Sequence, residues 1–204
     1  MSNDNLKKVF FVTSNKDKID MFNKTISGGL LVESFMPGVD IVELESMDVL
    51  EVAKDKLNKA LKYFPEDDVF LFVTDVGVFI EQLSGAPGGL IKRKTKELFN
   101  GNFHSWCSHL AFDKTRAAYI EVVIAAKNKS GDEIIISHKV QGSISKHPLL
   151  GPYGFAWDDI FIPAKELVDE EFIGKSFAQM PEEVKLKIFM EPPILELKRK
   201  ILAK

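Results

Sequence analysis

"VFFVTSNKDKID", residues Val9–Asp20, decides how the chain begins. Val9–Thr13 is a short run of mostly apolar, β-branched and aromatic residues, the composition of a buried strand. The lysine-bearing stretch after it reads as a helix from about Asp17, because Ile19, Phe22 and Ile26 recur at helical spacing on one face. "SGG" at Ser27–Gly29 ends that helix. Such a strand-to-helix junction presents free backbone N–H groups and the positive end of a helix dipole, where a phosphate is favoured. Asn15 can donate an amide hydrogen bond there, and Lys18 stands one turn into the helix. The alternative is a plain helix cap with surface lysines. The complete glycine patterns of the Rossmann and Walker loops are absent.

The rest of the chain continues the alternation. Leu31–Phe35 reads as a strand and Val49–Tyr63 as a helix stopped by Pro65. Val69–Val73, apolar at every position, reads as a strand buried on both faces and ending just before Asp75. "SGAPGG" (Ser84–Gly89) is a loop. Thr95–Phe112 reads as a helix interrupted at Asn100–Asn102. Ala117–Ala126 and Glu133–Val140 flank "NKSGD" as a hairpin. Phe155–Pro163 is expected as a short strand. "MPEEVKLKI" starts a helix, "EPP" (Glu191–Pro193) breaks it, and a last helix puts Ile194, Leu197 and Ile201 on one face. Strand–helix alternation followed by a hairpin favours a mixed α/β sheet. No composition shift divides the chain, so one domain over residues 1–204 is expected.

Composition narrows the class. The 204 residues are 45% hydrophobic, enough for a core, and the formal net charge of -3 argues against a general binder of nucleic acid or membrane surfaces. "MSNDNLKK" leads towards a strand rather than an apolar signal segment, and no apolar run approaches the length of a membrane span. The single cysteine, Cys107, forms no internal disulfide, which suits a reducing cytosol.

Several residues can carry chemistry. Asp75 at a strand's end is placed for a metal ligand or general base, or for a simple turn. Glu43 and Glu45 in "VELES" can supply oxygen ligands to Mg²⁺. In "YGFAWDDIFIP", Phe155 and Trp157 alternate along the expected strand and so share a face. Two rings there can stack on a flat base, with Asp158 accepting its hydrogen bonds, though aromatic core packing explains them equally. His104, Cys107 and His109 match no zinc spacing and read as helix surface and core. His138 and His147 have no visible partner.

In order along the chain these segments resemble the inosine triphosphate pyrophosphatase family, whose members hydrolyse non-canonical purine nucleoside triphosphates. Thr13-Ser14-Asn15-Lys16-Asp17-Lys18 resembles the family's T-G-N-x-x-K, "VELES" its P-E-x-Q-G segment, and Lys59-Ala60 its helical lysine before alanine. "TDVG" followed by "GAPGG" resembles the acidic pair and G-x-P-G loop, and "GFAWD" and "SFAQMPEEVK" match two further segments. The resemblance implies an elongated mixed sheet flanked by helices, two lobes with a substrate groove between them, a homodimer and Mg²⁺ dependence. It also implies attack of water on the α-phosphorus, giving the monophosphate and pyrophosphate. Carried over residue by residue, Thr13, Asn15, Lys18, Lys59 and Lys185 hold substrate. Asp75 is the base or a metal-linked acid, Glu43 or Glu45 binds metal, and Phe155, Trp157 and Asp158 form the base and sugar pocket. The chain departs from the family at Ser14, at Thr74 and Val76 around Asp75, and at Phe189-Met190-Glu191, where the family has Ser-His-Arg. These departures imply altered base preference or, as the alternative, a nucleotide-binding relative without turnover.

Overall fold

The fold is seen in a computed structural model that describes residues 6–204. The first five residues of "MSNDNLKK" lie outside the described residues. Lys7–Val12 (β1), Lys16–Ile26 (α1), Leu30–Phe35 (β2), Val49–Leu61 (α2) and Phe70–Ile80 (β3) follow one another as the sequence predicts. Pro87–Gly88 (β4) leads into Ile91–Phe99 (α3) and Ser105–His109 (α4), then Ala117–Lys127 (β5), Glu133–Ile144 (β6) and Phe161–Pro163 (β7). Glu182–Phe189 (α5) and Glu191–Leu202 (α6) complete the order. The seven strands form one mixed sheet in the order β2-β1-β3-β5-β6-β7, with β4 on β3. β1 pairs in parallel with β2 and β3, and the remaining pairings are antiparallel. No helix among the described residues is long and apolar enough to cross a membrane.

Period-two alternation divides β3 between two cores. Phe70 and Phe72, with Ile124 and Ala126, pack against Phe22 and Ile26 of α1 and Ile194, Leu197 and Ile201 of α6. Leu71 and Val73, with Val123 and Ala125, pack under Val49, Ala53, Leu57 and Ala60 of α2. Further along, Val78 and Ile80 join a third cluster with Ile91, Trp106, Trp157, Phe161 and Phe177. The first and last helices are also clasped by polar bonds. Lys198 Nζ donates to the Ile26 carbonyl at the end of α1 (2.7 Å), and Lys7 Nζ donates to that of Ile201 (3.2 Å).

Two expectations need correction. β3 does not end at Val73: it runs eleven residues to Ile80, because β5 pairs with it continuously from Leu71↔Lys127 to Ile80↔Ala118. Asp75 therefore sits within the strand, opposite Val123. Nor is Phe155–Pro163 a strand throughout; only Phe161–Pro163 is. Residues 155–160 form a turn with Ala156 in the left-handed region at φ 53°, closed by Asp158 N–H donating to the Phe155 carbonyl (3.0 Å). The proline pair also begins a helix rather than only ending one, occupying the first turn of α6, where missing N–H groups cost nothing.

Gly77 lets the α2 face close over the strand beyond Asp75. A Cβ there would stand 2.6 Å from Val49 Cγ2 and 2.8 Å from the Gly88 carbonyl carbon. Gly77→Ala is expected to cost about 1–3 kcal/mol by overpacking, read as a lower urea midpoint with an unchanged slope.

Candidate active site

A cavity of about 810 Å³ opens between α1, α2 and the middle of β3 on one side and α3, α5 and the 155–158 turn on the other. Of the cations lining it, three act on the Asp75 region from separate elements: Lys18 from α1, Lys56 from α2 and Lys92 from the first turn of α3. They surround Asp75 and Glu43. The Asp75 carboxylate is held at Oδ1 by the Val76 N–H (2.8 Å), and Oδ2 has no hydrogen-bond partner among the described residues. Burial pushes Asp75 above the ordinary carboxylate range, with Glu43 adding to this, while the Val76 N–H, Lys56 and Lys92 oppose it. Glu43 is pulled down by its hydrogen bond from Lys56 (2.6 Å), with burial opposing. Lys18 is lowered by burial and by repulsion from Lys92 and Lys56. Neither Lys18 nor Lys92 has an ion-pair partner among the described residues, whereas Glu45 and Glu97 flank Arg93.

Of the residues predicted from sequence, Lys18, Glu43, Glu45, Asp75, Phe155, Trp157, Asp158 and Lys185 all line this cavity. Three predicted residues do not. Asn15 caps α1, its Oδ1 accepting from the N–H groups of Asp17 (2.9 Å) and Lys18 (3.3 Å), so the capping alternative describes this junction. Thr13 Oγ1 in turn accepts from the Asn15 N–H (3.2 Å). Lys59 donates to Asp55 (2.6 Å) and to the Val42 carbonyl (2.8 Å), which ties down the loop carrying Glu43. The helical lysine that reaches the cavity is Lys56, one turn earlier. Lys56, Lys92 and Arg93 carried no sequence signal beyond their charge.

The two carboxylates differ in company. Glu43 acts electrostatically on Asp75, while Glu45 forms an ion pair with Arg93 at the side of the cavity. Among the described residues no group of three His, Cys, Asp or Glu side chains converges as a ready metal cage. A pair of hard carboxylate oxygens suits Mg²⁺, which takes one or two carboxylates and completes its shell with water and phosphate oxygens.

At the far end, the 155–158 turn brings two aromatics of unlike burial to the cavity lining. Phe155 is 77% exposed at the cavity mouth, whereas Trp157 is 9% exposed and packs edge-on to Phe103 at 6.1 Å. The expected strand alternation is absent because the left-handed Ala156 interrupts it, yet both rings line the one cavity. Asp158 is paired with Lys185 (3.0 Å), and burial raises its carboxyl against that pairing. Lys185 also bonds the Tyr153 carbonyl (2.6 Å) and Glu182 (2.8 Å). Phe189 and Met190 add apolar wall beside the Asp158–Lys185–Glu182 cluster, and Glu191 does not line the cavity. Trp157→Ala is expected to cost about 3–5 kcal/mol in urea unfolding. Phe155→Ala, at an exposed ring, should stay within about 0.5 kcal/mol of wild type in the same assay.

A sequence profile of the Ham1 family matches residues 9–190. This chain belongs to the Ham1 family. Among curated Ham1 relatives, the dITP/XTP pyrophosphatase of Ignicoccus hospitalis is 31% identical over 183 residues, 89% of either chain. That of Thermococcus kodakarensis is 30% identical over 188 residues, again covering 89% of each. The Ham1 protein structure from Staphylococcus aureus superposes with a TM-score of 0.78 at 23% identity, covering 97% of this chain and 98% of that one. The Ham1 structure from Coxiella burnetii gives 0.77 at 22% identity, with 97% and 99% covered. These likenesses bear out the mixed sheet flanked by helices and the family resemblance seen in the sequence.

Proposed function

We propose that this Ham1 chain hydrolyses purine nucleoside triphosphates to the monophosphate and pyrophosphate in the presence of Mg²⁺. The observation that carries the reading is the gathering of Lys18, Lys56 and Lys92 around the Asp75–Glu43 pair in one groove. Three cations offset much of the charge of a triphosphate, and the dITP/XTP pyrophosphatases among the relatives support a purine base.

Lys18 and Lys92 neutralise phosphate oxygens, and Lys56 joins them by exchanging Glu43 for phosphate. Asp75, held by Val76 and raised by burial, takes the proton of a water that bonds to the α-phosphorus. The bond from that phosphorus to the bridging oxygen breaks, and pyrophosphate leaves with the electron pair. Glu43 and Asp75 would hold Mg²⁺, which when bound supplies neutralising charge at the phosphates. Thr13, Asn15 and Lys59 act one step back, fixing α1 and the Glu43 loop. Phe155 offers its open face to the base. The working unit is a homodimer in the cytosol, where Cys107 remains a free thiol.

The test is pyrophosphate release with Mg²⁺ from inosine, xanthosine, guanosine, adenosine and pyrimidine triphosphates, ribo and deoxy. Release from the 6-oxo purines is the expected result, falling to background when Mg²⁺ is chelated. Binding without release from any of them would replace this reading with a non-catalytic nucleotide-binding one, which Thr74 in place of the family's second acid would explain.

A further inference from the structure

Two histidines have hydrogen-bond partners that their neighbours in sequence did not show. His104 Nε2 stands 2.8 Å from Asp159 Oδ2 and ties one turn to another. His138, in β6, instead faces the backbone: its Nε2 lies 2.9 Å from the Ile188 carbonyl oxygen in α5. A carbonyl oxygen can only accept, so Nε2 carries the proton whether the ring is neutral or charged. Ile188 needs that donor. In a continuous helix its carbonyl would accept from the N–H of residue 192, and that of Phe189 from residue 193. Those residues are Pro192 and Pro193, which have no N–H. The chain turns at Met190 from α5 directly into α6. The Met190 N–H still donates to the Leu186 carbonyl (3.0 Å), and the Ile194 N–H to that of Met190 (3.1 Å). The prolines open a gap between these bonds, and His138 reaches into it from the sheet.

The place of this bond matters to the groove. On one face of β6, Ile136 belongs to the core beneath α1 and α6, and Val140 to the core around Trp157 and Phe177. His138 stands between them, on the seam. The helices above divide in the same way. Ile188 and Phe189 pack with the second core, and Met190 packs with the first. Phe189 and Met190 are also residues that wall the groove. Apolar packing has no direction and lets such a junction slide, whereas a hydrogen bond fixes its distance and angle. We propose that His138 is the positioning residue of this wall: by holding the Ile188 carbonyl it keeps Phe189 and Met190 in place along the groove. It touches neither the phosphates nor the reacting atoms. The role rests on the function proposed above only in naming a nucleotide as what the wall meets.

The test uses the full chain and three substitutions. His138→Leu removes the donor, His138→Gln keeps one at similar reach, and Pro192→Ala returns a backbone N–H where Ile188 lacks one. In wild type, nitrogen NMR of the imidazole should find Nε2 protonated in the neutral ring. In His138→Leu the Met190 amide should exchange about tenfold faster while the β5 amides keep their rates. Inosine 5′-monophosphate should then bind about fivefold more weakly, since a wall in place for a fraction of the time lowers affinity by that fraction. Inorganic pyrophosphate, which meets the lysines, should stay within about twofold. His138→Gln, or Pro192→Ala added to His138→Leu, should restore both the exchange rate and the nucleotide affinity. A neutral ring protonated at Nδ1 would overturn the role. So would unchanged Met190 exchange in His138→Leu, or a nucleotide affinity that does not follow it. The ring state is read in wild type, so the role is tested even where a variant does not fold. Failure of wild type to bind the nucleotide would count against the hydrolase reading alone, because ring state and amide exchange judge His138 without a ligand.

Discussion

Asp75→Asn is expected to lower pyrophosphate release by about 10²–10⁴-fold while nucleotide affinity changes only a few-fold. The asparagine keeps an oxygen for the Val76 N–H, so the strand is undisturbed, while the proton acceptor and the carboxylate charge proposed to face Mg²⁺ are lost. The same variant should be more stable than wild type at neutral pH. Burial raises the Asp75 pKa in the fold, so the folded state binds the proton more tightly than the unfolded chain does. The stability this supplies is fully present below the ordinary carboxylate pKa. It is lost as pH rises through the raised value, where the charge must be kept buried. Asparagine never bears that charge. The gap in Tm between variant and wild type should therefore open with rising pH and reach about 2–4 °C, the shift produced by ~1 kcal/mol in a chain of this size. Wild-type activity should rise over the same interval. A variant with wild-type turnover would remove Asp75 from the base role.

Lys18→Met is the second substitution with a large effect. Methionine keeps much of the stem and loses the charge, and kcat/KM is expected to fall by about 10²-fold. The loss should be matched by weaker pyrophosphate binding, and the deficit should shrink as salt is raised. Stability should hold or rise, because Lys18 is lowered by burial and by the neighbouring Lys92 and Lys56. Lys59→Met makes an informative contrast. Its amine is already spent on Asp55 and Val42, so removal loosens the Glu43 loop and should cost about tenfold or less. If Lys59→Met proved the more damaging of the two, the phosphate contacts would have to be reassigned.

Much of this site was legible because its pieces sit on elements that local sequence determines. Ile19, Phe22 and Ile26 fix which way α1 faces, and Lys18 follows from them. The all-apolar run before Asp75 placed that carboxylate at a strand's end, short of its true position within β3. What escaped depended on partners far along the chain. The length of β3 is set by pairing with β5, about fifty residues later, and nothing in Thr74–Ile80 alone shows it. Whether Lys56 or Lys59 reaches the groove turns on the path of the loop over α2, since both lie on the same half of the helix. The turn that replaces a strand at Phe155–Ile160 follows from one left-handed alanine, which no propensity would place there. His104 gains meaning only when the chain returns with Asp159.

The clasp between α1 and α6 has a consequence for synthesis. The core beneath α1 needs Ile194, Leu197 and Ile201, and the bond from Lys198 to Ile26 spans 172 residues. A nascent chain therefore exposes Phe11, Phe22 and Ile26 throughout its passage from the ribosome, and cannot bury them fully until α6 has emerged. At about 5–20 residues per second that wait is on the order of ten seconds or more. β1 and α1 thus need protection by a chaperone for as long as α6 is still to be made.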